Sequence, residues 1–251
     1  MHIEKHFLLN LKRRPERLYA WLGAQDQMKF DFKKLTVFQA IDGKAFKNSQ
    51  AITEYGADMG LGYLPERHNF DPNLASRGIV AGTVSALVML KNVSESGSDR
   101  YTVFWEDDAV LRIPYKAFAG LSVPRDANIV VFDHHFAHTS PDVSIQAEDT
   151  SKIHARLPFY QGVVGAGFLR CYAVNAEGAE QLLALHREKW DEHFAMEGLV
   201  VRNSNLPNLY TYIPKIIRLT GISGVTSDIF TDKNKPVKWK TTSAEDLYGK
   251  S

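Results

Sequence analysis

The sequence predicts an α/β protein, a single domain with a mostly parallel central sheet flanked by helices. Residues 7–11 and 35–38 are apolar, strand-like runs separated by a helical segment, and this β-α-β order is typical of parallel strands. Residues 76–93 carry apolar side chains at helical spacing with almost no charge, which indicates a deeply packed helix. Polar residues follow several of the predicted strands, where α/β sheets bind ligands.

The first half of the chain continues this pattern. The first helix is predicted to begin near Pro15, because proline suits an early helical position. The second strand leads into Asp42 and Gly43, a turn-forming pair. Residues 44–75 are polar and rich in Gly, Asn and Pro, so we expect a long excursion with one short helix over residues 49–55.

Beyond residue 100, the chain is predicted to add five strands and one helix. The helix spans residues 176–189 and has Asn175 as its N-cap. Residues 232–251 are polar and lysine-rich, and we expect a surface tail after a domain of residues 1–231. The predicted strands are residues 101–105, 128–132, 168–174, 209–213 and 216–219.

Composition narrows the function classes. In 251 residues, 44% are hydrophobic and 24% charged, which excludes a disordered, collagen-like or coiled-coil chain. The net charge of +1 gives no general attraction to nucleic acid or to anionic membranes. The single Cys171 agrees with a reducing compartment, and neither a signal-peptide core nor a membrane-spanning run is recognisable. The expectation is a cytoplasmic protein whose membrane contacts, if any, are peripheral.

The most informative motif is the acidic triplet Glu106, Asp107 and Asp108, which closes the apolar run of residues 101–105. Two unit charges about 4 Å apart repel by roughly 4 kcal/mol at an effective dielectric of about 20. A site that keeps all three acids ionised therefore favours a cation, and oxygen ligands favour Mg²⁺, Mn²⁺ or Ca²⁺. The alternative is that the acids face water at a turn or favour the start of a following helix.

Taken in order, several motifs resemble glycosyltransferase family 25, which includes lipopolysaccharide and collagen sugar transferases. The resemblance covers about residues 6–230. One departure lies in the helix before the triplet, where the family reads Gly-Cys and then Ser-His, and this chain has alanine at position 86 in place of the histidine. The motifs are Leu9-Asn10-Leu11-x-Arg13-Arg14-Pro15-x-Arg17, Ala40-Ile41-Asp42-Gly43, Glu106-Asp107-Asp108, Tyr172-Ala173-Val174-x-x-x-Gly178-Ala179-x-x-Leu182-Leu183 and Ser227-Asp228.

The resemblance implies a GT-A fold that binds a UDP-sugar, with Mn²⁺ or Mg²⁺ across the diphosphate. Asp108 is then the expected principal metal ligand, and Glu106 a ribose or second metal contact. In a continuing strand, Glu106 and Asp108 would face one side and Asp107 the other. A turn at Asp107 would shift this assignment by one residue.

The same resemblance implies a set of donor contacts beside the metal. For the arginines the alternative is a solvated helix face, and for Asp42 a simple turn with Gly43. Ser227 and Asp228 could close over the diphosphate or form a plain turn. The expected contacts are Asn10, Leu11, Arg14, Arg17, Asp42, Ser85, Glu106, Asp107, Ser227 and Asp228.

An inverting transferase, the expected outcome here, needs a carboxylate that takes the proton of the acceptor hydroxyl. Asp191 is the first candidate and Glu192 the second, since the resemblance places an acidic pair near the acceptor. A solvated helix terminus is the alternative. Trp190 could stack on a sugar, but an anchor at the helix end is preferred.

Two further clusters are less specific. His134, His135 and His138 follow a predicted strand, and lining of the site or a solvated loop is favoured over a zinc centre. The glycines at 162, 165 and 167 do not form the dinucleotide-binding fingerprint, so flexible loop packing is expected.

The sequence analysis therefore predicts a metal-dependent transferase that moves a hexose, galactose or a relative, from a UDP-sugar to a glycan, glycolipid or glycoprotein. Nucleic acid is disfavoured as a partner by the near-neutral charge. One alternative is a noncatalytic nucleotide-sugar-binding module, which the missing histidine at Ala86 makes conceivable. Another is a metal-dependent phosphohydrolase with two metals that activate water.

Overall fold

The computed structural model describes residues 1–64, 77–133, 156–162, 169–190, 194–203 and 205–220. The strands are β1 Ile3–Asn10, β2 Leu35–Gln39, β3 Tyr101–Glu106, β4 Ala109–Leu111, β5 Ile129–Val131, β6 Phe159–Gln161, β7 Cys171–Val174, β8 Leu209–Tyr212 and β9 Ile217–Leu219. The α-helices are α1 Pro15–Gln27, α2 Ser49–Asp58, α3 Arg77–Ser94, α4 Tyr115–Ala119, α5 Ala176–Lys189 and α6 Met196–Arg202.

The main sheet has seven strands in the order β2-β1-β3-β7-β5-β8-β6, and β4 pairs with β9 in a separate ribbon. Strand β1 is parallel to both β2 and β3, and β5 is parallel to β8. Strands β7 and β6 run against their neighbours, so five of the seven strands point the same way. The predicted α/β class with a mostly parallel sheet is confirmed, with two reversed strands.

Successive side chains on the strands pack into two hydrophobic layers. Phe7 and Phe104 face the layer covered by α2, α3, α5 and α6. Their neighbours Leu8 and Trp105 face the opposite layer, which α1 and α4 cover. This alternation follows from the two-residue period of a strand, and burial on both faces explains why β3 is a continuous apolar run.

Local signals explain where α5 lies. Asn175 caps the helix, because its Oδ1 accepts a hydrogen bond from the Gly178 amide at 2.8 Å. A Cβ at Gly178 would lie 2.3 Å from the Asn128 carbonyl oxygen, so only glycine lets the first turn pack this closely on the sheet. Trp190 at the other end is buried, in agreement with its predicted role as an anchor.

Buried His6 on β1 joins two aromatic side chains. Trp105 Nε1 donates to His6 Nδ1 at 3.1 Å, and His6 Nε2 lies 3.0 Å from the Tyr115 hydroxyl. Because the indole can only donate, His6 is the tautomer with its proton on Nε2. Burial, with a contribution from Lys34, lowers the pKa of His6 to about 3, so the ring is neutral.

Buried His186 on α5 forms a comparable network. Its Nε2 donates to the Phe194 carbonyl at 3.0 Å, and its Nδ1 lies 2.9 Å from the Tyr63 hydroxyl. Burial lowers the pKa of His186 to about 4, and the bond to Phe194 opposes this shift in part. Both ring nitrogens therefore connect α5 to neighbouring segments.

Most predicted elements are present near their expected bounds, and α5 begins and ends where predicted. Strands β4 and β6 and helices α4 and α6, each of three to seven residues, were not predicted. Cys171 lies fully buried in β7. Among the described residues, no helix combines the length and apolarity needed to cross a bilayer. The predicted domain end at residue 231 and the tail lie outside the described residues.

Candidate functional site

A cavity of about 170 Å³ lies at the carboxyl ends of the neighbouring parallel strands β2, β1 and β3. We call it the strand-end cavity. Its walls come from the segments that follow these strands and from the first turns of α3. The lining residues are Leu9, Leu11, Arg13, Arg17, Ala40, Ile41, Asp42, Gly43, Lys44, Arg77, Gly78, Ala81, Gly82, Glu106, Asp107 and Asp108.

Asp42 fixes the turn that follows β2. Its Oδ1 accepts a hydrogen bond from the Lys44 amide at 3.0 Å and caps a single 3₁₀ turn. Its Oδ2 accepts from Arg13 Nε at 2.7 Å, an ion pair that joins two walls of the cavity. Burial acts to raise the pKa of Asp42, but these two hydrogen bonds and the charges of Arg13 and Lys44 together lower it. Asp42 thus forms the predicted turn and lines the cavity as well.

Two close contacts hold this turn against α3. A Cβ at Gly43 would lie 2.5 Å from the Arg77 carbonyl oxygen, so a side chain there would force the walls apart. Ser85 is fully buried, and its hydroxyl donates to the Ala81 carbonyl at 2.7 Å and accepts from the Ile41 amide at 2.9 Å. The described contacts of Ser85 therefore position the cavity wall.

The acidic triplet lies at the end of β3. The strand ends at Glu106 and a turn follows, so the alternation expected of a continuing strand does not apply and all three acids line the cavity. Asp107 is buried, and both its oxygens have partners. Its Oδ2 accepts from Asn10 Nδ2 at 2.7 Å, and its Oδ1 forms an ion pair with Arg17. Asn10 thus supports the triplet.

Asp108 differs from Asp107 in one respect. Its Oδ2 lies 3.5 Å from Arg17 Nη2, but its Oδ1 is buried and has no hydrogen-bond partner in the described part of the chain. A buried carboxylate oxygen without a partner is costly, and such atoms call for a bound ion, water or ligand. Within the described ranges no group of three or more His, Cys, Asp and Glu side chains forms a preformed metal centre.

Burial and mutual repulsion govern the charge of the triplet. Burial, and then the neighbouring Asp108 carboxylate, raise the pKa of Glu106 well above its usual range, and Arg170 opposes them. Burial raises the pKa of Asp107 to about 6, although Arg17 and Asn10 both stabilise its charged form. A cation placed among these acids would therefore be strongly attracted and would favour their ionised forms.

A second group of charges surrounds Arg170, which precedes β7. The Glu106 amide donates to the Arg170 carbonyl at 2.8 Å, and Arg170 Nη1 lies 4.0 Å from Asp133 Oδ2. Glu197, in the first turn of α6, belongs to the same group. Burial raises the pKa of Glu197 to about 7, with Arg170 opposing and Asp133 reinforcing the shift.

The strand-end cavity collects a large part of the predicted site. Leu11, Arg17, Asp42 and the whole triplet line it. Asn10, Arg14 and Ser85 are not among the lining residues, and the Arg14 guanidinium pairs with Glu16. The predictions outside the described residues are Asp191, Glu192, Ser227, Asp228, His134, His135, His138, Gly165 and Gly167.

Sequence reasoning missed several residues of this region. A basic residue at the start of a helix after a polar excursion is a usable signal for Arg77, and Lys44 directly follows the Asp-Gly pair. Glu197 gives no such signal, because an acid in the first turn of a short helix is common. Arg77, Lys44, Arg13 and Arg17 offer positive charge to an anion, and the acids offer ligands to a cation. No known protein-family model matches the chain.

Proposed function

We propose that the protein is a metal-dependent glycosyltransferase of the GT-A type, which transfers a hexose from a UDP-sugar to a hydroxyl of a glycan, glycolipid or glycoprotein. The observation that carries this proposal is the convergence of three motifs on one cavity. Leu11 to Arg17, Asp42–Gly43 and the acidic triplet are far apart in sequence, and all contribute to the strand-end cavity. Ligands of open α/β sheets bind at this edge.

The charges of the cavity suit a diphosphate with a divalent ion. Asp108 and Glu106 are the proposed metal ligands, since Asp108 Oδ1 has no partner in the described ranges and both oxygens of Asp107 are engaged. Mg²⁺ in phosphate sites is commonly held by one or two carboxylates and by the substrate phosphates. The ion, Mn²⁺ or Mg²⁺, would supply a Lewis acid for the negative charge of the leaving group.

The size of the cavity limits what it is proposed to hold. Typical small-molecule sites measure roughly 300–1,000 Å³. At about 170 Å³ the strand-end cavity suits the diphosphate end of the donor rather than the whole nucleotide-sugar. Arg13, Lys44 and Arg77 line the same space, and we propose that they attract and orient the phosphates.

The proposed reaction also needs a group that takes the proton from the acceptor hydroxyl. Asp191 and Glu192 remain the proposed bases. Glu197 is a described carboxylate close to them in sequence, and its pKa of about 7 is near the value at which a general base works best. Its neighbour Arg170 bonds through its carbonyl to Glu106, which connects the two groups of charges.

The test is incubation with a panel of UDP-sugars and Mn²⁺, with and without candidate acceptors, while UDP and inorganic phosphate are measured separately. Acceptor-stimulated release of UDP is the expected result. Binding of UDP without turnover would support the noncatalytic module, and release of phosphate would support the phosphohydrolase. A reaction that is unchanged after chelation of divalent ions would contradict the metal-dependent proposal.

A further inference from the structure

We propose that Arg17 is a counter-cation that stays paired with the acidic triplet while the site holds no ligand. When metal and nucleotide bind, the Arg17 side chain moves from Asp108 to the diphosphate, so that metal binding depends on the nucleotide. This inference rests on the proposed function, because it assumes a nucleoside diphosphate as the anionic ligand. It adds that the metal alone binds more weakly than the metal together with the nucleotide.

The position of Arg17 carries the inference. Its Nη2 pairs with Asp107 Oδ1 and lies 3.5 Å from Asp108 Oδ2. The side chains of Arg17 and Asp108 are only 14% and 15% exposed, so water screens their attraction weakly. A guanidinium that already contacts these carboxylates holds the positive charge that a divalent ion would otherwise bring.

Two buried polar atoms without partners among the described residues indicate a ligand with charges of both signs. In the described part of the chain, Arg17 Nε is buried without an acceptor and Asp108 Oδ1 is buried without a donor. A purely structural ion pair at such burial normally satisfies its donors and acceptors. An anion would accept a hydrogen bond from Arg17 Nε, and a cation would bind Asp108 Oδ1. A metal ion bound to a diphosphate brings both charges at once.

The surroundings permit Arg17 to leave. Asp107 keeps its hydrogen bond from Asn10 Nδ2, at 2.7 Å, when the guanidinium moves away. Arg17 is the third residue of α1, at the edge of the cavity, so a change of side-chain rotamer can turn it from the triplet toward the phosphates. In the absence of an anion, a metal ion must instead compete with the guanidinium for the same carboxylates.

The test is a titration of the nucleotide-free protein with Mn²⁺ alone, followed by the electron paramagnetic resonance signal of free Mn²⁺. We expect Arg17→Gln to bind Mn²⁺ at least tenfold more tightly than the wild type. Arg100→Gln is the control, because it removes one positive charge at the amino end of β3, at the opposite edge of the sheet from the cavity, and Arg100 does not line the cavity. Its Mn²⁺ affinity should stay within twofold of the wild type. An unchanged or weakened affinity in Arg17→Gln overturns the inference.

A second measurement uses only the wild-type protein and so does not depend on the folding of a variant. Mn²⁺ affinity is measured with and without saturating UDP, and we expect UDP to raise it at least tenfold. Equal affinities would overturn the proposed coupling. These readouts are independent of turnover, so a protein that binds UDP and Mn²⁺ cooperatively but transfers no sugar would refute the proposed function and keep this inference.

Discussion

The buried histidines and the acidic triplet are both polar groups inside the protein, but their hydrogen bonding differs. His6 and His186 use both ring nitrogens, and burial keeps them neutral. In the strand-end cavity, Asp108 Oδ1 and Arg17 Nε have no partners among the described residues. A buried polar group whose donors and acceptors all have partners is typical of a role in stabilising the fold. A buried polar group with an unpaired donor or acceptor is typical of a role in binding a ligand.

The largest expected effect tests the acidic triplet directly. Asp108→Ala should reduce UDP-sugar turnover by about 100-fold or more, because charge stabilisation at the leaving group commonly contributes about 3–4 kcal/mol. The free energy of unfolding should change little, since Asp108 Oδ1 has no hydrogen-bond partner among the described residues and Arg17, 3.5 Å from Oδ2, keeps its ion pair with Asp107. Turnover assays and urea unfolding measure the two quantities.

Asp31→Ala is the matched control for this substitution. Asp31 caps a 3₁₀ turn before β2, at the opposite edge of the sheet from the cavity. Its loss should leave turnover within about twofold of the wild type. Normal turnover in Asp108→Ala would instead show that Asp108 takes no part in the reaction. The difference between the buried histidines and the acidic triplet would then have no functional meaning.

The buried histidines should show the opposite pattern, a loss of stability without a loss of UDP binding. His6→Ala leaves a cavity and removes the partners of Trp105 Nε1 and the Tyr115 hydroxyl, so we expect a loss of about 2–4 kcal/mol in the free energy of unfolding. UDP affinity of the folded fraction should be unchanged. Urea unfolding at pH 7.5 and UDP titration check both expectations. A loss below about 0.5 kcal/mol would contradict the assigned role of the network.

The close approach of Gly43 to α3 offers a smaller effect that involves the cavity wall. Gly43→Ala should cost about 1–3 kcal/mol of stability and weaken UDP binding, because its Cβ would meet the Arg77 carbonyl at 2.5 Å. Gly23→Ala, within α1 and with no atom within 4 Å of the added Cβ, should instead stabilise the protein by about 0.5–1 kcal/mol. Thermal unfolding of both variants and UDP titration decide the point, and equal effects would show that the contact is not tight.

The smallest expected effect is a pH dependence of stability that has opposite signs for buried His186 and for Glu197, the acid in the group of charges around Arg170. The pKa of His186 falls on folding from 6.5 to about 4, so its contribution to stability is complete above pH 6.5 and is lost as the pH falls through 4. The pKa of Glu197 rises from 4.5 to about 7, so its contribution is complete below pH 4.5 and is lost as the pH rises through 7.

Glu197→Gln separates the two. Relative to the wild type, it should gain about 1–2 kcal/mol of stability between pH 5 and pH 8, a value reduced from the full shift because Glu197 is partly exposed. The histidine contribution is common to both proteins and cancels in the difference. Urea unfolding at the two pH values gives the result. A stability difference that does not vary with pH would mean that Glu197 titrates normally.

Local sequence signals were sufficient for the elements with strong caps and long apolar patterns. Pro15 marks the start of α1, and Asn175 marks the start of α5, because both act through nearby backbone groups. The reversed strand β7, between β3 and β5, could not be predicted in this way. Its pairing depends on residues about 70 and 40 positions away rather than on its own composition.

The candidate site was likewise predictable in part from the sequence. The motifs of the family resemblance, which follow predicted strands, were enough to select several residues that meet at the strand ends, because the carboxyl ends of neighbouring parallel strands share one edge. They could not give the direction of each side chain. Ser85 turns to backbone groups and Asn10 to Asp107, and both contacts exist only once distant segments are packed together.

The fully buried thiol in β7 has a practical consequence. Cys171 is the only cysteine of the chain, it lies between β3 and β5, and burial raises its pKa well above the usual value. Alkylating reagents need an accessible thiolate, so they should react only after the centre of the sheet opens. The rate of labelling by such a reagent therefore reports the opening equilibrium of the native protein, without an introduced probe or a denaturant.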